Sequence, residues 1–268
     1  SRVGIIFDWD NYWALEYTSG PSEDLKYVEQ IHNYYKFFYN KNISVDMIPV
    51  DADFSQYNLI AAPVLYMVKD NMAEELESFV ANGGTLITSF MSGIVDQSDN
   101  VHLGGYPGPL RSMAGVWAEE IDALAPEQKN HARFTDGTTA SCGLLCDLMH
   151  LEGAEALAVY EDDFYQGMPV VTRNHFGKGN VYYVGSQLDE TGLEKVLTQA
   201  VADAGVTPVI PEATQLEVTV RESETTRFYY VMNFTGEAQP LPDSLAGKTD
   251  LITGETAKCG DSLKPWDV

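Results

Sequence analysis

Short, almost unbroken apolar runs alternate with helical patterns through the first part of the chain. Val3 to Phe7, Val45 to Val50, Leu59 to Val64 and Thr85 to Thr88 each have strand length and little internal polarity, as strands buried on both faces of a parallel sheet do. Between them, apolar residues at Leu25, Val28, Ile31, Tyr34, Tyr35 and Phe38 recur every three or four positions and predict a helix that stops near Asn40. A second helix is expected from an Asp70 cap through Phe79 and Val80 to Asn82-Gly83-Gly84. Strand and helix in alternation mean an α/β fold with a mainly parallel sheet and helices on both faces.

The stretch after the fourth run is different. From Gly83 to Arg111 the chain passes from a short buried strand into a long segment of Gly, Pro, Ser, Asp and Asn, with Pro107 and Pro109 as rigid points. A loop of more than roughly 12–15 residues in a compact domain usually has a function or is disordered. The first strand ends in Asp8, Trp9, Asp10, Asn11, Tyr12 and Trp13, read as a second loop. Loops that follow parallel strands leave the sheet at the same carboxyl edge, so the two stretches are expected to meet.

Further along, Val116 to Ile121, Asp147 to Glu152, Ala156 to Tyr160, Pro169 to Arg173 and Val181 to Val184 read as strands of an antiparallel extension, the last two joined through Gly177-Lys178-Gly179. Thr191 to Ala204 predicts a closing helix before Gly205. Pro208 and Pro211 mark a linker, which places the domains at residues 1–210 and 211–268. In the second, Leu216 to Arg221, Arg227 to Asn233 and Leu251-Ile252 are the expected strands of a small all-β domain.

Composition excludes several classes of function. Forty acidic against sixteen basic residues leave a formal charge of −24, which repels phosphate backbones and anionic membranes, so neither is an expected partner. No apolar run reaches membrane-spanning length. Three scattered cysteines suit a reducing, cytoplasmic setting better than a disulfide scaffold. The chain opens SRVGIIF without an initiating Met, and is expected to be a piece of a longer polypeptide.

Catalytic chemistry finds no foothold in the residues. A nucleophile elbow belongs where Thr88 passes into Ser89-Phe90-Met91-Ser92-Gly93, but no cysteine stands there and Phe90 and Met91 take the places that need small side chains. Cys142, Cys146 and His150 are spaced by four and would align as metal ligands on a helix; His150, however, falls in an expected strand and no fourth ligand is near. Neighbouring carboxylates such as Glu119, Glu120 and Asp122 do not face each other at the roughly 5–10 Å that glycoside hydrolysis needs. No catalytic residue, metal or cofactor is expected.

FDWDNYWALE at Phe7–Glu16, SGIVDQSDNVHLGGYPGPLR at Ser92–Arg111, LEGAEALAVYEDDFYQGMPVVTRNHFGKGNVYYVG at Leu151–Gly185 and the β-rich tail from Leu216 resemble the glycoside hydrolase family 42 β-galactosidases beyond their catalytic barrel. The resemblance implies a flavodoxin-like or class I glutamine amidotransferase-like three-layer domain, the family's trimerisation domain, followed by a small β-sandwich-like domain. It implies a parent that cleaves terminal β-D-galactosides with retention through two glutamates on a (β/α)8 barrel, and neither role falls on a residue of this chain. The expected partners are that barrel and neighbouring subunits of a homotrimer. Asp8, Trp9, Asn11, Trp13, Ser92, Asp96, His102 and Arg111 are the residues expected to form the interface or barrel-mouth surface. Two other readings stand beside this one: a free-standing amidotransferase-like enzyme, and a galactoside-binding module using Trp9 and Trp13.

Overall fold

The computed structural model describes residues 1–18, 20–213 and 215–268. They divide into two compact units, one of Ser1–Tyr35 with Asp46–Val206, the other of Lys36–Val45 with Thr207–Val268.

In chain order the large unit begins with β1 (Val3–Ile6), α1 (Trp9–Tyr17) and α2 (Tyr27–Asn40), whose last turn belongs to the small unit. Then come β2 (Val45–Ile48), β3 (Leu59–Ala62), α3 (Met72–Ala81), β4 (Thr85–Ser89) and the single turn α4 (Arg111–Ala114). The second half adds β5 (Val116–Ala123), β6 (Asn130–Phe134), β7 (Thr139–Leu151), β8 (Glu155–Tyr160), β9 (Pro169–Phe176), β10 (Gly179–Val184), β11 (Ser186–Leu188) and α5 (Glu190–Asp203). One sheet runs β11-β7-β6-β8-β9-β10-β4-β3-β1-β2, with β5 also paired to β7. It is parallel across β1, β3, β4 and β10, and antiparallel from β10 through β9, β8, β6 and β7. The sheet is therefore mixed.

The parallel half follows directly from residue type. β1, β3 and β4 are buried at every position, as the apolar runs of β1 and β3 and the uncharged β4 allow. α3 buries Met72, Leu76, Phe79 and Val80, one stripe at helical spacing. Its cap is not Asp70: Asn71 occupies that position at φ 65° without a side-chain cap bond, and Asp70 instead accepts a 2.6 Å hydrogen bond from Gln97 Nε2 in the long loop.

Several elements differ from expectation. Asp8–Trp13 is not a loop but the start of α1, with the Asp8 carboxylate accepting from the N–H groups of Asp10 and Asn11 as an N-cap. The helix hides from pattern reading because its stripe is inverted: Asn11 and Leu15 are its buried residues, while Trp9, Trp13 and Tyr17 are exposed. β6 went unread because its buried residues, Asn130, Ala132 and Phe134, alternate with His131 and Arg133 in a run too polar to suggest a strand. The run containing Cys142, Cys146 and His150 is entirely strand, in β7. A helical ligand set there does not exist.

The small unit adds β12 (Glu217–Glu222) paired antiparallel with β13 (Arg227–Met232), and β14 (Gln239–Pro240) with β15 (Ser262–Leu263). Ile210, Ala213, Leu216, Val218 and Leu245 form its core. Asn42 ties this core to the end of α2: its Nδ2 donates to Ala213 O and Leu216 O, and its Oδ1 accepts from Val218 N. Leu251 and Ile252 are not a strand. They sit exposed in a turn whose Asp250 carboxylate accepts from Ile252 N and the Thr253 hydroxyl.

Candidate functional site at the carboxyl edge of the sheet

Three chain segments emerge where β1, β3 and β4 end. The first is α1, which presents Trp9, Trp13 and Tyr17 at 60%, 51% and 88% exposure, an i, i+4, i+8 stripe on one helix face. The Trp9 and Trp13 ring centroids lie 6.1 Å apart, and Trp9 meets Phe7 and Tyr12 edge-on. Lys69 Nζ donates to Asp8 at 2.9 Å and to Asp10 at 2.6 Å, fastening the start of the helix to the segment after β3. Partial burial works against the Lys69 ammonium, but the two carboxylates still hold it above its ordinary range.

The second segment, Val64 to Lys69, is the hub. Asn11, fully buried, donates from Nδ2 to Val64 O at 3.0 Å and accepts at Oδ1 from Met67 N at 2.8 Å. Ser89 Oγ accepts from Val64 N and Ser92 Oγ accepts from Leu65 N, at 2.8 and 3.0 Å. Thr88 donates to Ala62 O and shares a 2.8 Å contact with Ser92. Val64 itself has φ 51°, a strained conformation for a β-branched residue. This network holds it there. Asn11→Ala orphans two buried backbone groups at about 1–3 kcal/mol each; a loss of about 3 kcal/mol in urea-denaturation stability is the expected result.

The third segment is the long loop. Gly93 N donates to Leu65 O, Ile94 N and Val95 N to Tyr66 O, and Val68 N to Val95 O, so the loop base is stitched to the hub. The two strand-end stretches are therefore joined by Val64–Lys69, which lies between them. Asp96 closes a turn with the N–H groups of Asn100 and Ser98, which hold its carboxylate below the usual range. His102 is half-buried against Gly108. Arg111 grips Glu152 with two hydrogen bonds, donates to Gly104 O and lies over the Trp117 ring at 5.3 Å. Leu103, at 97% exposure, projects from the loop tip.

The strained position beyond β4 is held by a methionine. Met91, at φ 59°, occupies the strained position two residues beyond β4, and its side chain is buried. The hydroxyls of Ser89 and Ser92 are both spent on backbone amides. Among the described residues no group of three or more His, Cys, Asp or Glu is arranged to hold a metal ion, and His150 pairs with Glu119 while stacking on Trp117. No helix of the described residues is long and apolar enough to cross a membrane. What remains is a braced surface with an aromatic face.

Residues 1–207 match the β-galactosidase trimerisation-domain family model, and residues 215–268 match the β-galactosidase C-terminal domain. The chain belongs to the glycoside hydrolase family 42 β-galactosidases. Among its relatives, β-galactosidase LacZ of Lactobacillus acidophilus is 43% identical over 269 residues, all of this chain and 40% of the relative. β-galactosidase BgaA of a Planococcus species is 48% identical over 273 residues, with the same coverage. The crystal structure of the β-galactosidase from Bacillus circulans sp. alkalophilus superposes with a TM-score of 0.95 at 44% identity, covering all of this chain and 40% of that one. That from Rahnella sp. R3 gives 0.90 at 34% identity with the same coverage. The chain thus spans about 40% of the length of these β-galactosidases. It is their trimerisation domain and C-terminal domain.

Within this family 42 domain the named surface residues divide by role. Trp9 and Trp13 are exposed; Asp96, His102 and Arg111 are partly exposed on the long loop and its exit; Asn11 and Ser92 are interior braces and Asp8 a buried cap. Tyr17, Val101 and Leu103 are also exposed and were not singled out from sequence. The i+4 spacing from Trp13 points to Tyr17 once the segment is known to be helical.

Proposed function

We propose that this chain is the non-catalytic assembly part of a β-galactosidase, carrying the contacts by which a homotrimer forms and by which the mouth of a catalytic barrel is covered. The exposed Trp9–Trp13–Tyr17 stripe carries the reading. Three large aromatics on one solvent face of a buried-capped helix are costly to leave in water, and protein interfaces concentrate Trp and Tyr. Retaining hydrolysis of terminal β-D-galactosides belongs to the parent enzyme, whose barrel glutamates lie outside these residues. Asp8, Asn11 and Ser92 then act by fixing the surface, and Trp9, Trp13, Asp96, His102 and Arg111 by forming it.

The same reading gives the fold its finer description, flavodoxin-like or class I glutamine amidotransferase-like. In its favour stand the parallel set β1, β3, β4, β10 and the positive-φ Met91 just beyond β4, where such folds place a nucleophile. A boundary between residues 210 and 211 is supported by the Pro208 and Pro211 pair, whereas the compact units change at Val206 and Ile210 packs in the small core. A cytoplasmic location agrees with three free cysteines, one of them the exposed Cys259.

The test is sedimentation of the full-length enzyme bearing Trp9→Ala with Trp13→Ala. A shift from trimer to smaller species, with the large unit still folded by circular dichroism, is expected, because obligate interfaces bury more than about 2,000 Å² and lean on aromatic anchors. An unchanged trimer with unchanged galactosidase activity overturns the role of this face.

A further inference from the structure

β7 carries two cysteines that the assembly reading leaves unused. Cys142 and Cys146 are separated by Gly143, Leu144 and Leu145, and a regular strand would set them about 13 Å apart. The strand is not regular. Leu144 stands at φ 65°, and the register against β11 jumps: Ser186 faces Cys146, Gln187 faces Gly143 and Leu188 faces Cys142. Two extra residues are looped out. Measured along β11, the cysteines are two strand steps apart, about 6.6 Å between Cα atoms and on the same face of the sheet. Both side chains are buried, and Cys146 Sγ lies 3.5 Å from Ser186 Oγ, which itself donates to Gly143 O.

This spacing is at the outer limit for a disulfide, whose Cα atoms usually stand about 4.4–6.8 Å apart, and both thiols are free. It suits two sulfurs bridged by one ion. Zinc takes four ligands in structural sites, and no set of three or more ligands exists among the described residues. A soft ion content with two sulfurs is what the pair can hold. We propose that the bulge in β7 makes Cys142 and Cys146 a two-coordinate site for a thiophilic metal ion of the mercury(II) class. Two metal–sulfur bonds form, two S–H bonds break and both protons leave to solvent. A divalent ion with two thiolates is neutral, whereas copper(I) would leave one negative charge in a fully buried place, close to the Asp147 carboxyl, which is costly. Entry is through β11, a three-residue strand at the end of the sheet order, the kind of element that opens locally.

The chain bearing Cys259→Ser, which removes the exposed thiol, is titrated with mercuric ion against a soluble monothiol competitor. One ion per chain, a sulfur-to-metal charge-transfer absorbance and the loss of both remaining thiols from a thiol assay in denaturant are expected. Adding Cys142→Ser or Cys146→Ser should weaken binding at least about tenfold, and copper(I) should bind at least as much more weakly than mercury(II). No ion retained by the Cys259→Ser chain, a thiol left titratable, a Cys142–Cys146 disulfide found by intact mass, or copper(I) binding the tighter overturns the proposal. Because the first measurement is made with both cysteines in place, misfolding of a serine variant does not decide the outcome.

Discussion

Gly93→Ala is expected to cost the large unit about 4 kcal/mol and to open the neck of the long loop. Gly93 sits at φ 66°, where an alanine loses about 1–2 kcal/mol to the left-handed backbone. A Cβ there would stand 1.9 Å from Pro107 O and 2.4 Å from Pro107 C. Both obstacles are backbone, so no side chain can rotate away, and overpacking of this kind adds about 1–3 kcal/mol. The strain is passed on. Gly93 N donates to Leu65 O, and Gly108, itself at φ 53°, lies so near that a Cβ on it would stand 2.4 Å from Gly93 O. Gly104→Ala is the matched control, since Gly104 also has positive φ, 102°, but nothing lies within 4 Å of its Cβ position. Urea denaturation of the two variants separates the steric part from the backbone part. Equal losses for both would show that the loop neck yields without cost.

Asp147→Asn is expected to flatten the fall of stability with pH and to raise stability at pH 8 by several kcal/mol. Asp147 is fully buried in β7; Tyr183 donates to its Oδ2 at 2.7 Å, and its Oδ1 has no partner among the described residues. Burial pushes its carboxyl up to about 7, from a usual value near 3.9. Between these limits the folded chain holds a proton that the unfolded chain has lost. Stability therefore decreases as pH rises from about 4 to about 7 and is flat beyond, a total on the order of 4 kcal/mol from this group. Asparagine keeps an acceptor for Tyr183 and never ionises. The measurement is the urea midpoint of both proteins from pH 4 to pH 9. If the wild type and the variant keep the same pH slope, Asp147 is not the group that titrates.

How far the fold could be read depended on whether each residue's own chemistry matched its surroundings. β1 and β3 were legible because strands buried on both faces carry no polar side chain to interrupt them, and β4 because its Leu86-Ile87 centre is flanked only by small hydroxyl residues, Thr85, Thr88 and Ser89. α3 was legible because Met72, Leu76, Phe79 and Val80 repeat at the helical period. α1 was not, since its Trp and Tyr residues point outward and its one fully buried residue is an asparagine; the energy that places Asn11 comes from Val64 and Met67, more than fifty residues away. β6 failed for a related reason, with Asn130 buried through bonds to Asp162. The bulge in β7 left no trace in composition, because Leu144 is an unfavourable residue for positive φ.

The candidate surface shows the same division. From the sequence alone came the aromatic and polar stretch after the first strand, the long glycine and proline loop after the fourth, the bulky Phe90 and Met91 that follow β4 and the motifs shared with family 42 β-galactosidases. These are local properties, set by which side chains are apolar, small or ionisable. Only the tertiary structure decided that Trp9, Trp13 and Tyr17 form one exposed stripe while Asn11 and Ser92 are interior braces, and that Val64–Lys69 is the hub joining both stretches. Those outcomes depend on where buried backbone amides and carbonyls find partners, and a chain's polar groups are satisfied by residues that are neighbours in space rather than in sequence.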